Sequence, residues 1–371
     1  MQYTEFKDGI RLSRLGMGNM RLPVHAELEG QPIDYEKGKA IIDAAMAAGI
    51  NYYDTAYIYH NGESEVFVGK ALAEYPRDSY YVADKFNFQA QPDYRIQFDE
   101  QCRRLQMDRI DFYLLHGIQD NFIDEILPSG CIEYFEEMRK QGRIRYLGFS
   151  FHGSVSNMKK MLDAHAWDFV QIQLNYYDWE YGNQRMLYKM LEEAGIPVIV
   201  MEPVHGGLLS RLNEEAAALL KEKDPSASLA SWAMRWVKSL PAVSVVLSGM
   251  GDTAMLEDNV RTFSECPDML PEEKDLVREA AALLRKGVSM PCTGCRYCVP
   301  NCPMELDIPA LLIAYNDYKN DAAWRLVNLK GWPADKQPSA CIACGACTDH
   351  CPQSLPVPDA MAEMARQLEK L

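Results

Sequence analysis

The chain has 371 residues, 48% of them hydrophobic and 25% charged, with a formal net charge of −15. That apolar content supports a large core and excludes a disordered chain, and the acidity excludes nucleic acid and an anionic membrane surface as partners. No apolar run approaches membrane-spanning length and no basic stretch followed by an apolar one marks a secretory leader, so a cytoplasmic, reducing setting is expected. Residues 288–371 carry 7 Lys+Arg against 9 Asp+Glu, so the acidity belongs to the first 287 residues, with 31 against 44.

Residues 1–12 read as a hairpin turning at Asp8-Gly9. A strand around Leu15–Met20 follows, carrying Gly16-Met-Gly18; with no βαβ unit before it and no third Gly, this is a weak dinucleotide signal. Apolar residues then recur at helical spacing over Tyr35–Ala48, ending at Gly49. The alternation continues with strand Asn51–Thr55, helix Ser64–Glu74, strand Tyr80–Lys85, helix Tyr94–Met107 and strand Ile110–Leu115. Next come helix Cys131–Lys140, strand Tyr146–Ser150, helix Val155–His165, strand Phe169–Leu174, helix Gln184–Glu193 and strand Val198–Met201. Helix Ala227–Ser239, strand Val243–Leu247 and helix Thr253–Phe263 complete eight strand–helix units. Such alternation specifies a parallel sheet with helices outside. Eight units over about 250 residues match an α/β fold of the (β/α)8 TIM-barrel type. A doubly wound open sheet would show a phosphate fingerprint at its first turn, and none is present.

A helix over Glu272–Lys286 leads out of the barrel. Helices are expected over Ile308–Tyr318 and Ala322–Leu329, and a tail helix over Pro358–Leu371, docked on the barrel or frayed. The domains are therefore 1–270, the barrel; 271–287, a connecting helix; and 288–371, a smaller, mostly helical module.

That last segment contains Cys292-Thr-Gly-Cys295-Arg-Tyr-Cys298-Val-Pro-Asn-Cys302-Pro303 and Cys341-Ile-Ala-Cys344-Gly-Ala-Cys347-Thr-Asp-His-Cys351-Pro352. Both spell C-x2-C-x2-C-x3-C-P, the spacing that holds a 4Fe–4S cluster. Zinc sites show two Cys pairs with a longer gap, and disulfides require an oxidising compartment. Two 4Fe–4S clusters are expected, each taking three thiolates from one run and the last Cys of the other: Cys292, Cys295, Cys298 and Cys351 for one, Cys341, Cys344, Cys347 and Cys302 for the second. The segment resembles the bacterial-type ferredoxins over about residues 288–360. Cys102, Cys131 and Cys266 read as small buried hydrophobes.

Catalytic residues of a barrel sit at the C-terminal ends of its strands. Those ends carry Asp54-Thr-Ala with Tyr59 just beyond, Lys85 in Tyr81-Val-Ala-Asp-Lys-Phe, and His116 in Asp111-Phe-Tyr-Leu-Leu-His. On these stretches the chain resembles the aldo-keto reductases over about residues 1–265. The resemblance implies an Asp/Tyr/Lys/His tetrad of Asp54, Tyr59, Lys85 and His116. In it Tyr59 protonates a carbonyl oxygen, a Lys85 ammonium lowers the phenol's pKa, Asp54 positions Lys85, and His116 orients the carbonyl. It also implies that Ser150, Gln171 and Asn175 hold a nicotinamide amide. Ser248, Gly249 and Gly251 would then receive a phosphate at the eighth strand. The family's usual basic residue for a 2′-phosphate falls near Met255, among Asp252, Glu257 and Asp258, with Arg261 the first basic residue. This leaves NAD and NADP both open.

The expected activity is interconversion of a small-molecule carbonyl and alcohol with NAD(P). Two alternatives remain. The clusters could pass single electrons to a substrate or flavin held in the barrel without nicotinamide, although no flavin site is evident. Or the chain could be an electron-transfer subunit docking a ferredoxin or another electron-transfer protein.

Overall fold

The computed structural model describes residues 1–120, 123–286, 289–290, 292, 296, 298–320, 323–351 and 354–371. Cys295, along with Thr293, Gly294 and Tyr297 in the first cysteine run, Ala322, and Pro352 in the second run, lies outside the described residues. Two compact units are present: residues 1–210 with 226–277, and residues 211–225 with 278–371.

The first unit opens with an antiparallel hairpin of β1 (Tyr3–Glu5) and β2 (Arg11–Ser13). Its turn puts Asp8 and Gly9 at φ 56° and 70°, the left-handed region that Asp-Gly pairs enter most readily. Eight parallel strands then close a barrel: β3 (Leu15–Gly18), β4 (Tyr52–Asp54), β5 (Tyr81–Phe86), β6 (Ile110–Ile118), β7 (Ile144–Phe151), β8 (Phe169–Gln173), β9 (Val198–Met201) and β10 (Val243–Ser248), with β10 pairing to β3. Most strand residues are buried, as a sheet covered on both faces requires. The hairpin plugs the N-terminal end. Phe6 lies 5.4 Å from Phe112 and 5.1 Å edge-on to Tyr146, among Leu12, Tyr52, Phe169 and Leu247. That end is therefore filled with packed aromatics, leaving the C-terminal end for chemistry.

The outer helices of this unit are α1 (Tyr35–Ala47), α2 (Glu63–Leu72), α3 (Tyr94–Leu105), α4 (Ile123–Ile126), α5 (Cys131–Lys140), α6 (Val155–Ala164), α7 (Tyr176–Tyr181) and α8 (Gln184–Glu193). After α9 (Glu214–Lys223) in the second unit come α10 (Leu229–Lys238), α11 (Thr253–Ser264) and α12 (Pro271–Lys286). Side-chain caps start several of them: Asp34, Asp93, Asn213, Ser228 and Asp252 each accept a first-turn N–H. Gly69 lets α2 and α3 touch, since a Cβ there would stand 2.4 Å from the Leu105 carbonyl oxygen.

In the second unit the elements of the described residues are helical: α9, the end of α12, α13 (Ile308–Asn320), α14 (Ala346–Asp349), α15 (Val357–Leu368) and short 3-10 turns. Its core gathers Leu306, Ile308, Leu311, Leu312, Leu326 and Leu355 with Val357, Ala360, Met361 and Met364 of α15.

The expected strands and helices agree with these to within a few residues, but the short helices α4 and α7 are additional to them, and other differences follow. Asn19–Arg21 forms a 3-10 turn instead of extending the first strand to Met20. Residues Ala323–Gly331 are 3-10 and not α-helical. The helix Glu214–Lys223 was not expected, although Asn213 capping it, Glu214 and Glu215 in its first turn and Lys221 and Lys223 in its last are start and stop signals. The terminal helix α15 is formed over Val357–Leu368, and its apolar stripe completes the core of the second unit.

Candidate active site and cluster cavities

Four strand-end positions converge in the barrel. Lys85 on β5 is wholly buried, and its ammonium donates to Asp54 Oδ1 at 2.6 Å and to the Thr55 carbonyl at 2.6 Å. The same Nζ stands 5.0 Å from the centre of the Tyr59 ring. Tyr59 opens the 3-10 turn Tyr59–Gly62 just after β4. His116, on β6, meets that ring edge-on, with centroids 5.9 Å apart. Its Nδ1 lies 3.4 Å from the side-chain amide of Asn87.

Burial dominates the electrostatics here. It works against the Lys85 ammonium, but Asp54 and then Tyr59 outweigh it and raise the Lys85 pKa. Burial lifts the Asp54 carboxyl above its ordinary range, with Lys85 opposing. Burial, followed by the Lys85 charge, drives His116 well below the usual imidazole value, so the ring is neutral and able to donate one hydrogen bond. The expectation for Tyr59 needs correction. Lys85 does pull the phenol's pKa down, but desolvation is larger and the net shift is upward. The acid is therefore held protonated, and the ammonium limits a rise instead of producing a fall.

The residues expected to hold a nicotinamide separate into two groups. Ser150 and Gln171 are paired neighbours on β7 and β8. Ser150 Oγ accepts the Gly117 N–H at 2.7 Å. Gln171 has Nε2 3.6 Å from Met201 Sδ and a buried Oε1 with no hydrogen-bond partner among the described residues. That oxygen needs an N–H donor, which a carboxamide supplies, so this corner fits a nicotinamide. Asn175 is committed elsewhere: it caps α7, and its amide donates to Asp178 at 2.6 Å and to the Glu202 carbonyl at 3.1 Å. Asp178 also takes hydrogen bonds from Gln173 and His205, at 2.7 and 3.1 Å.

At the eighth strand, Ser248 Oγ accepts from Asn259 at 2.9 Å, and Gly249 and Gly251 lead into α11. Asp252 caps that helix through the Met255 N–H, and Met255 is exposed. Arg261 is paired with Asp258 within the helix. The basic residue that packs on the loop is Arg21: a Cβ on Gly249 would stand 2.8 Å from Arg21 Cγ. Sequence reading missed Arg21 because more than two hundred residues separate it from the loop. It also missed Asn87 and Asp178, which no motif marks, and gave no role to Thr55 although it follows Asp54 directly.

Among the described residues the second unit has two cavities lined by cysteines, each of about 340 Å³ including its opening to solvent. Cys302 of the first run lines one together with Cys341, Cys344 and Cys347 of the second. Cys292 and Cys298 line the other together with Cys351, and Cys347 also reaches this wall. Ile308 and Val357 border both. The runs also repeat as backbone. Glu305 and Ser354, 49 residues apart, both have positive φ, and their N–H groups donate to Cys302 and Cys351 carbonyls at 2.9 Å. The Leu306 N–H points at Cys302 Sγ at 3.5 Å, the type of N–H···S bond that would tune a thiolate bound to a cluster. Among the described residues no three His, Cys, Asp or Glu side chains close on the position of one metal ion. The thiols line cavities, and a donor set of sulfurs around a cavity fits a cluster.

A model of the Aldo/keto reductase family matches residues 14–273, and a 4Fe-4S dicluster domain model matches residues 291–355. L-galactose dehydrogenase of Arabidopsis thaliana is 26% identical over 300 residues, covering 74% of this chain and 92% of that protein. Aldo-keto reductase AKR11C1 from Bacillus halodurans, in its holo form, superposes with a TM-score of 0.64 at 28% identity, covering 76% of this chain and 96% of its own. An aldo-keto reductase from Klebsiella pneumoniae in complex with NADPH shares the fold at 20% identity and a TM-score of 0.61, over 76% and 95% of the two chains.

Proposed function

The chain belongs to the aldo/keto reductase family, and on that footing we propose that it interconverts a small-molecule carbonyl and alcohol with a nicotinamide cofactor, while its C-terminal unit carries two 4Fe–4S clusters. The observation that carries the reading is the buried Lys85–Asp54 pair set beside Tyr59 and His116. The cofactor, when bound, supplies or removes hydride at the carbonyl carbon. Every other part of the reaction belongs to side chains of this chain.

Neutral His116 donates a hydrogen bond to the carbonyl oxygen and sets its direction. Tyr59 passes its hydroxyl proton to the same oxygen as negative charge builds there. The phenolate left behind faces the Lys85 ammonium, whose own charge is balanced by Asp54 and held in line by the Thr55 carbonyl. The charge partner is in place before the proton moves, so little reorganisation is needed. Gln171 and Ser150 receive the carboxamide, and Ser248, Gly249, Gly251 and Arg21 receive phosphate. The crossed thiolate sets, Cys292, Cys295, Cys298 and Cys351 and Cys341, Cys344, Cys347 and Cys302, would hold the clusters, and these would supply single-electron transfer.

Replacing Tyr59 by Phe tests the reading. Reduction of a carbonyl panel should be lost while iron content and fold are kept, because one proton is removed and the ring remains. An active variant means that Tyr59 is not the acid.

A second reading has Met255 and Asp252 in its favour: the helix that would meet a 2′-phosphate offers no free cation and already carries a carboxylate cap. In that reading electrons reach the substrate or a flavin singly, from a ferredoxin or other electron-transfer protein. Comparing NADH, NADPH and reduced ferredoxin as donors on the same carbonyl panel separates the two.

A further inference from the structure

Strand alternation sends Lys85 into the barrel and Asp84 outward, into the layer beneath α2 and α3. There Asp84 and Glu65 are both wholly buried. Glu65 is fully engaged, Oε1 accepting from Gln101 at 3.0 Å and Oε2 from Arg104 at 2.8 Å. Asp84 is not. Its Oδ1 accepts the Lys85 backbone N–H at 2.8 Å, while its Oδ2 is sealed from solvent with no donor in reach among the described residues. Among the described residues its side chain meets the Glu65 carboxyl, another acceptor. Arg104 is the guanidinium in this layer, and it is shared with Glu100 at 2.7 Å. Two buried carboxylates with one shared cation and an undonated oxygen are not a stable arrangement. One proton between them is, because it turns a clash of acceptors into a hydrogen bond.

We propose that Asp84 and Glu65 hold one proton between them, carried on Asp84, and that this acid pair is a positioning device for Lys85. The inference deepens the carbonyl-reductase reading and rests on it for its functional meaning. The grip is on both peptide groups of Lys85. Asp84 holds its N–H, and Gln101, which donates to Glu65, also donates to the Lys85 carbonyl at 3.0 Å. The Tyr113 hydroxyl pins Gln101 from β6 at 2.5 Å. With its backbone clamped, Lys85 reaches Asp54 and Thr55 from one fixed root. A neutral Asp84 also leaves Asp54 as the carboxylate balancing the ammonium, so the charge offered to Tyr59 is not diluted. The charged and titratable groups that face Asp84 are Glu65 on α2, Lys85 on β5, Tyr113 on β6, Cys102 and Arg104 on α3 through Glu65, and Tyr59 across the strand. Burial, then the charge of Glu65, holds the Asp84 carboxyl well above the carboxylate range.

The direct test is infrared. Full-length protein labelled with 13C at aspartate carboxyls should show, at neutral pH, the carbonyl band of a protonated carboxylic acid, shifted by the label and by D2O. Asp84→Asn should remove that band. Glu65→Gln should remove it too, because an amide donor lets Asp84 ionise. Loss in both single variants is the signature of a shared proton. The second readout is stability against pH. A carboxyl whose folded pKa is raised contributes stability below its unfolded pKa and loses it as pH rises through the folded value. The wild type should therefore lose melting temperature on the alkaline side, and Asp84→Asn should lose less. Absence of the labelled acid band from the wild type overturns the proposal without recourse to any variant. A band that survives in Asp84→Asn assigns the proton to another aspartate and equally overturns it. Neither readout uses catalysis, so a failed carbonyl-reductase reading would leave the proton pair standing, and the reverse.

Discussion

Replacing Lys85 by Met removes one charge from the centre of the site and keeps a side chain of similar length. Lys85 Nζ lies 5.0 Å from the Tyr59 ring centre. At an effective dielectric near 20, two unit charges at that separation attract by about 3 kcal/mol. This is the support a phenolate receives as the proton leaves Tyr59, and it is absent from the ground state, where the phenol is neutral. Its loss therefore falls on the transition state, and kcat/KM should drop by roughly a hundredfold or more. The control is Asp54→Asn, which leaves a buried ammonium unpaired and should cost about 3–5 kcal/mol of stability. The double variant, with neither charge, should regain much of that stability and none of the activity. Steady-state rates on a carbonyl panel and denaturant titrations of all four proteins form the assay. If Lys85→Met keeps more than a tenth of wild-type kcat/KM, the ammonium is not the phenolate's partner. If the double variant is as unstable as Asp54→Asn, the pair does not behave as a coupled buried ion pair.

Cys302→Ser should disturb the same cluster as Cys341→Ser, and Cys351→Ser the same cluster as Cys292→Ser, as read by iron content and the electron paramagnetic resonance of the reduced protein; residual spectra that group by run would show that the ligation is not crossed. NADH should not be strongly disfavoured against NADPH, and Arg21→Ala should weaken both alike by removing a contact to the shared diphosphate; calorimetric titration that detects NADPH alone would refute this. His116, with its pKa held well below the ordinary value by burial and then by Lys85, should show no imidazole titration by NMR between pH 6 and 8. Because the unfolded chain binds that proton and the folded chain does not, this residue should subtract stability as pH falls below about 6.5. A midpoint near neutrality would contradict the burial argument.

Much of the molecule could be read from residues close together in sequence. Helical and strand spacing is a local property, so eight alternating units specify the barrel, and its strand ends mark Asp54, Lys85 and His116 as candidates. The two cysteine runs are likewise local: four thiols in eleven residues leave few chemistries open. Tertiary structure decided what depends on proximity between distant segments. It set Arg21 against Gly249, committed Asn175 to Asp178 and α7, and placed Cys302 beside the second run. It also decided the sign of the Tyr59 shift, because desolvation by the whole barrel exceeds the pull of one ammonium. Alternation along β5 tells that Asp84 points away from Lys85. That it meets Glu65 there, in a layer closed by Gly69 against Leu105, follows from the packing of α2 on α3, which no local pattern encodes.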